Sequence, residues 1–164
     1  MRLRKIIPFI TTGLIMLIIF MFSAQTSEES SLISRGFTAQ FVELISAVMN
    51  FSSQKQTEII LSVHNTVRKL AHFTIYGALG VSSTAMFLTI KPKAKIYLIV
   101  IYSVLFCCFY AITDEFHQSF VFGRGPQAMD VGIDTLGALC GSCLFFVVTV
   151  ICRQMKARFG LRKR

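Results

Sequence analysis

Four apolar stretches of membrane-spanning length follow one another along this chain, over about residues 6–23, 70–90, 96–113 and 130–152. A hydrocarbon core about 30 Å thick takes roughly 20 helical residues to cross, so each stretch is close to the length required. Because lipid offers the backbone no hydrogen bonds, such spans should be helices. With only 15% of its 164 residues charged, the sequence predicts an all-α polytopic membrane protein consisting of one domain, residues 1–164.

Charge is divided unevenly between the two ends of these spans. Twelve of the seventeen lysines and arginines lie before the first span, in the turn around Pro92, or in a basic tail at residues 153–164. All eight acidic residues belong to segments at the opposite ends. Because basic segments stay in the cytoplasm, both termini are expected there, with residues 25–67 outside. The net charge of +9 then serves as a topology anchor on anionic membrane lipids, and nucleic acid is not an expected partner.

The first stretch also has the basic start and apolar run of a signal peptide. A cleavage site after Ala24 would place Phe22 at a position where a small residue is required. We therefore expect this stretch to be retained as a membrane span.

The long segment between the first two spans contains an apolar stripe with helical spacing. The stripe consists of Phe37, Phe41, Leu44, Ile45, Val48 and Met49. A second helix is expected after Ser53, with Gln56 as its capping-box partner, and it could run directly into the second span. The sequence predicts two short amphipathic helices, which either lie on the outer leaflet or pack on the bundle.

Gly137 and Gly141 form a GxxxG motif in the fourth span, with Ala138 beside it. Small residues at this spacing allow helices to pack closely in lipid. The partner of this face is either another span of the same chain or a second copy, so an oligomer through Gly137 and Gly141 is one of two interpretations.

Polar residues collect at the outer ends of three spans and in the loop between the last two. The second span begins with Arg68, Lys69, His72 and Tyr76. The third ends with Tyr110, Asp114, Glu115, His117 and Gln118, the loop carries Arg124, and the fourth span begins with Asp130 and Asp134. An ionisable group at the centre of a span costs about 2.5–3.5 kcal/mol. These helix faces should therefore turn inward and surround one outward-facing polar pocket.

The pocket could belong to an enzyme or to a non-catalytic binding module, or it could be a purely structural network of ion pairs. In an enzyme, the general acids, general bases or metal ligands would be His72, Asp114, Glu115, His117, Asp130 and Asp134. The residues that bind substrate would be the cations Arg68, Lys69 and Arg124, which suit a phosphate, with Tyr76, Tyr110 and Gln118. Neither HxxxH nor HExxH is present, so no metal or cofactor is assigned. Membrane lipids and a lipid-linked or polyanionic envelope component are the expected partners, and four spans are few for a transporter.

Several motifs together resemble the VanZ-like family of bacterial membrane proteins, over about residues 14–145. The earlier motifs are Phe22–Gln25, Glu28–Ser30, Arg68–Phe73, Tyr76 and Leu79–Gly80. The later ones are Tyr110–Ala111, Asp114–Gln118, Phe120, Gly123–Arg124, Asp130–Val131, Asp134, Gly137 and Gly141. Two departures are Ile75, where the family often has an acidic residue, and Phe122, where it often has proline.

This resemblance implies a role in the cell envelope and a place in the bacterial plasma membrane. The family is named for a member that gives low-level resistance to teicoplanin, a lipoglycopeptide antibiotic, but the resemblance supplies no established reaction. It leaves two classes of function for the pocket. One is modification of a lipid-linked envelope component, and the other is non-catalytic binding of lipid, antibiotic or cell-wall machinery.

Overall fold

Five helices make up nearly all of the chain in the computed structural model, which describes residues 3–49 and 51–158. In chain order they are α1 (Leu3–Ser23), α2 (Ser27–Met49), α3 (Ser53–Ile90), α4 (Ile96–Gln118) and α5 (Ala128–Arg158). No strand occurs in these two ranges. The prediction of an all-α protein is confirmed.

Four of the helices, α1, α3, α4 and α5, are long and apolar enough to cross a membrane. They correspond to the four predicted spans, but α3 and α5 are longer than the spans that they contain. Helix α3 begins at Ser53, and α5 continues to Arg158, so the first half of the expected basic tail is helical. Residues 159–164 lie outside the described residues.

Helix α1 packs in the bundle through hydrogen bonds as well as apolar contacts. The hydroxyl groups of Thr11 and Thr12 lie 2.8 and 2.9 Å from that of Ser82 in α3. The Tyr110 hydroxyl of α4 donates to the carbonyl of Met16 at 2.6 Å. These bonds attach α1 to both of its neighbours.

The two short amphipathic helices expected between the first two spans are not confirmed. The first segment is a helix of 23 residues, α2, and the second is the N-terminal part of the 38-residue α3. The cap of α3 is also one residue earlier than expected. Ser52 is the N-cap, because its side chain accepts a hydrogen bond from the N–H of Lys55.

The apolar stripe of α2 is helical, but most of its large side chains are exposed rather than buried against α3. Helix α2 packs on α3 and buries the small or medium side chains of Ser34, Thr38 and Val42. Among the larger side chains, Phe37 is 66% exposed and Phe41 is 64% exposed. Leu44 and Met49 are exposed as well, Ile45 is partly buried, and the side chain of Val48 lies outside the described part. A cover for the stripe must come from lipid or from another molecule.

The closest helix pair is α3 with α5, and its contact uses the glycine motif of the fourth span. A Cβ atom on Gly141 would collide with the backbone of Gly77, and one on Gly137 would collide with the backbone of Phe73. The partner of this face is therefore α3 of the same chain, and an oligomer through it would have to displace α3. The close approach also sets which side chains of α3 and α5 become neighbours near Gly137.

Four buried hydroxyl side chains form a cluster near the middle of the bundle, called here the hydroxyl cluster. They are Ser83, Thr84, Ser103 and Ser142. Ser103 of α4 is the hub. Its hydroxyl lies within hydrogen-bond distance of the hydroxyl groups of Ser83 and Ser142. It also accepts a hydrogen bond from the Thr84 hydroxyl at 3.0 Å and lies 3.2 Å from the Gly80 carbonyl oxygen. The cluster joins α3, α4 and α5 with neutral hydrogen bonds.

Candidate functional site

A polar cavity of about 110 Å³ lies where α3 meets the C-terminal end of α4, the loop 119–127 and the N-terminal end of α5. Seven of the twelve candidate residues line it. They are Arg68, Lys69, His72, Gln118, Arg124, Asp130 and Asp134. The structure therefore brings candidates from α3, α4, α5 and the loop to one place.

One ion pair and one histidine–carboxylate contact cross this cavity from α3 to α5. The ammonium group of Lys69 lies 3.1 Å from Asp130 Oδ1, with both side chains partly exposed. His72 Nδ1 lies 3.8 Å from Asp134 Oδ1, and Asp134 is only 1% exposed. The second pair is too long for a hydrogen bond but close enough for an ion pair when the imidazole is protonated.

Asp114 and Tyr76 form the buried wall behind the cavity. Asp114 is 4% exposed and Tyr76 is fully buried. The Asp114 carboxylate accepts a hydrogen bond from the side-chain amide of Gln118 at 3.3 Å, and it faces His72, Tyr76 and Ser23. Asp114 therefore supports the residues of the cavity wall rather than lining the cavity itself.

The other three candidates have partners elsewhere. Glu115 Oε2 accepts the backbone N–H of Gln127 at 2.9 Å, which fastens the loop 119–127 to α4. Tyr110 donates to α1, and the ring of His117 packs on Phe20 of α1 with centroids 4.6 Å apart. The structure does not bring Tyr110, Glu115 or His117 into the cavity.

The N-terminus of α2 also reaches the cavity, which the sequence interpretation missed. Ser27 and Gly123 both line it, and Gly123 has a φ of 75°, a left-handed conformation that favours glycine. A Cβ on Gly123 would lie 3.3 Å from that of Ser27. In the sequence, the capping-box pattern of Thr26 and Glu29 marks the start of this helix. The Thr26 N–H and hydroxyl both donate to Glu29 Oε2, at 2.8 and 2.9 Å.

The cations that line this cavity outnumber its carboxylates by three to two. The walls carry Arg68, Lys69 and Arg124, with His72 between them. Burial, followed by repulsion from Arg68, lowers the pKa of Arg124, while nearby carboxylates oppose the shift. The two guanidinium groups therefore repel one another, and an anion bound between them would relieve that repulsion.

Several buried polar atoms around the cavity lack a hydrogen-bond partner within the described residues. Among those on residues that line it are His72 Nδ1, Arg124 Nε and Asp134 Oδ1. Buried polar groups in native proteins are nearly always hydrogen-bonded, so such a group calls for an explanation. A group of atoms of this kind, gathered round one cavity, is what a polar ligand or water would satisfy.

The carboxylates and imidazoles do not form a metal centre in the part of the chain that the structure describes. No set of three or more histidine, cysteine, aspartate or glutamate side chains there is grouped closely enough to hold an ion. His117, one of the two candidate histidines, faces α1 instead of His72.

A second cavity, of about 180 Å³, adjoins the polar one and is lined mainly by apolar side chains of α1, α2 and α3. Arg68 and His72 belong to the walls of both cavities. The second is called here the apolar cavity.

Comparisons with known proteins give one family. No curated protein matches the chain, and no solved structure matches it. The family profile described as VanZ/LLP1 matches residues 9–150, which covers most of the chain and includes every candidate residue. The chain, with its four membrane-spanning helices, therefore belongs to the VanZ/LLP1 family.

Proposed function

We propose that the polar cavity binds the phosphate group of a lipid-linked component of the cell envelope. The observation that carries this proposal is the convergence of Arg68, Lys69 and Arg124 on one cavity whose Arg124 Nε has no partner within the described chain. Arginine suits phosphate because its planar guanidinium group can donate two parallel hydrogen bonds.

The carboxylates of the cavity do not cancel this positive charge. Asp130 is engaged by Lys69, and Asp134 is adjacent to His72. Arg68 and Arg124 have no ion pair within the described residues. Two guanidinium groups are thus left to bind an anion.

The proposal is tested with ethyl phosphate, which has the anionic group but almost no hydrocarbon chain. Isothermal titration calorimetry on the full chain in an uncharged maltoside detergent should detect binding, and Arg124→Gln should weaken it about 10- to 100-fold, because a hydrogen bond to a charged group contributes about 1.5–3 kcal/mol. Arg35→Gln, at an exposed site on α2, is the matched control and should leave the affinity unchanged. Equal affinities for all three proteins would overturn the proposal.

A second candidate function is catalysis at the same site, favoured by the proximity of His72 to Asp134. Such a histidine can act as a general acid or base. In hydrolysis of a phosphate ester, water would attack phosphorus, the P–O bond to the alcohol would break, and the alcohol would leave with a proton supplied by His72. The proton released by the water would then restore the one on His72. If so, His72→Gln should abolish release of inorganic phosphate from dodecyl phosphate while the substrate still binds. Binding without release of phosphate by the wild-type chain would assign the site to a non-catalytic module.

The orientation that we propose places the cavity on the outer face of the plasma membrane, with both termini in the cytoplasm. The basic turn around Pro92 follows the C-terminal end of α3, about five helix turns beyond His72, which agrees with the charge bias. Alkaline phosphatase fused after Thr57 should be active, and the same fusion after Lys93 should be inactive. The reverse pattern would put the site in the cytoplasm.

In its most specific form, the proposal is that this chain contributes to teicoplanin resistance. Expression of the wild-type chain in a susceptible bacterium should raise the inhibitory concentration of teicoplanin, and Arg124→Gln should remove the increase. Resistance that is unaffected by Arg124→Gln would separate it from the cavity.

A further inference from the structure

We infer that the apolar cavity holds the hydrocarbon chain of the same ligand whose phosphate occupies the polar cavity, so that the ligand is an amphiphile bound across both. This inference rests on the proposed function, because it assigns the second part of the ligand that the first site binds. The chemical class is a long-chain alkyl or isoprenoid phosphate.

The two cavities are next to each other in the bundle. Arg68 and His72 lie on adjacent turns of α3, and each lines both cavities. A phosphate held between Arg68 and Arg124 therefore lies at the boundary of the apolar cavity. A chain attached to that phosphate would pass beside Arg68 and His72 to enter the apolar cavity.

The walls of the apolar cavity suit a hydrocarbon chain. Ile19 and Phe22 of α1, Ile33 and Phe37 of α2, and Ile75 of α3 line the apolar cavity. Cavities with such walls remain dry or bind apolar molecules. A peptide would bring backbone polar groups that these side chains could not satisfy, whereas a hydrocarbon chain would not.

The packing of α2 leaves room for such a chain. It buries Ser34 and Thr38 against its neighbours and keeps Phe37 mostly exposed. Ser34 also lines the apolar cavity. Because the inward residues are small, space remains between α1, α2 and α3 at the level of the spans, where the bilayer can supply hydrocarbon.

The experiment compares alkyl phosphates of increasing chain length on the full chain in maltoside detergent. Each buried methylene should raise the affinity about fourfold until the cavity is filled. Ala71→Phe, which projects a ring into the apolar cavity, should remove this dependence on chain length and leave the affinity for ethyl phosphate unchanged. Ala78→Phe is the matched control, since Ala78 is an exposed alanine two turns further along α3 and lies outside both cavities.

Detergent partition of the probes is the same for every variant, so it cancels in the comparison. Retained binding of ethyl phosphate shows that Ala71→Phe has folded. If that variant does not fold, Ile33→Trp closes the cavity from α2 and provides the same test.

The outcomes separate this inference from the proposed function. If ethyl phosphate binding depends on Arg124 but the cavity variants keep the wild-type dependence on chain length, the inference is wrong and the proposed function stands. If ethyl phosphate binding is unaffected by Arg124→Gln, the proposed function fails first. Loss of the dependence on chain length in Ala71→Phe, but not in Ala78→Phe, supports both.

Discussion

The bundle contains two buried polar regions, and their polar atoms are satisfied in opposite ways. In the hydroxyl cluster, the Ser103 hydroxyl lies within hydrogen-bond distance of three other hydroxyl groups and one carbonyl group. Around the polar cavity, buried atoms of His72, Arg124 and Asp134 have no hydrogen-bond partner within the described residues. Both regions use α3, α4 and α5, but the polar cavity also uses the loop 119–127 and the start of α2. Only in the hydroxyl cluster do the described residues supply a partner for every hydroxyl group.

The difference shows what each region contributes. Neutral hydroxyl groups can satisfy one another inside a low-dielectric bundle, so the hydroxyl cluster stabilises helix packing. Charged groups that lack partners are costly in the same environment. If the cavity binds an anion as proposed, its residues are expected to lower stability rather than raise it.

The largest effect is expected at the α3–α5 contact, on which both regions depend. Gly141→Ala introduces a methyl group where the Gly77 backbone lies, so it should lower the free energy of unfolding by about 1–3 kcal/mol. The matched control is Gly132→Ala on the same helix, because a Cβ there meets no atom within 4 Å. It should keep or slightly raise stability, since alanine favours helix. Thermal unfolding in detergent measures both. Equal behaviour of the two variants would contradict the close approach.

Removal of the hub of the hydroxyl cluster should affect stability alone. Hydrogen bonds between membrane helices contribute about 0.6 kcal/mol each on average, and Ser103 makes several, so Ser103→Ala should cost about 1–2 kcal/mol. Its affinity for ethyl phosphate should equal that of the wild-type chain. Ser62→Ala removes only bonds within one helix turn and is the control. A loss of phosphate affinity in Ser103→Ala would show that the two regions are coupled.

A smaller change of opposite sign is expected in the polar cavity. Asp134→Asn replaces a buried carboxylate that has an unpartnered oxygen with a neutral side chain of the same shape. The free energy of unfolding should stay unchanged or rise by about 0.5–1 kcal/mol, as for other groups retained for function. Thermal unfolding is compared with Ser103→Ala. If Asp134→Asn is destabilised as much as Ser103→Ala, the charged residues are structural and the distinction between the regions fails.

The smallest effect concerns the start of α2, beside the polar cavity. The Thr26 N–H and hydroxyl lower the pKa of Glu29 below its ordinary value of 4.5. A carboxylate with a lowered pKa stabilises the folded state above its ordinary pKa and loses that contribution as the pH falls through the lowered value. Thermal stability should therefore decrease slightly on acidification. In Glu29→Gln, which keeps a capping partner without the charge, this part of the decrease should be absent. If thermal stability depends on pH identically in Glu29→Gln and in the wild-type chain, this prediction is wrong.

The spans and the polar helix faces could be predicted because they follow from local information. Hydrophobic length determines where a helix crosses a membrane, and intervals of three and four residues determine which side chains share a face. These rules brought His72, Asp130 and Asp134 to one cavity. They could not show that Tyr110 and His117 turn toward α1, because helical spacing defines a face but not the neighbour that the face meets.

Helix α2 illustrates the same limit. Its stripe of large apolar residues correctly predicted a helix, but the structure buries Ser34 and Thr38 and exposes Phe37 and Phe41. In a soluble protein the larger apolar face would be buried. Beside a membrane, lipid can cover that face, so the side that packs on α3 is chosen by the fit of small side chains.

By itself the sequence determined the helical class, the number of candidate spans, the charge bias between their ends and which polar residues share a helix face. All of these depend on residue type and on spacing within one segment. Only the tertiary structure decided that the Gly137 face packs on α3 and that Arg68 stands between two cavities. It also joined the start of α2 to the loop at Gly123. Each of these results depends on the approach of helices far apart in the chain, which is set by side-chain volume and backbone contact across the bundle.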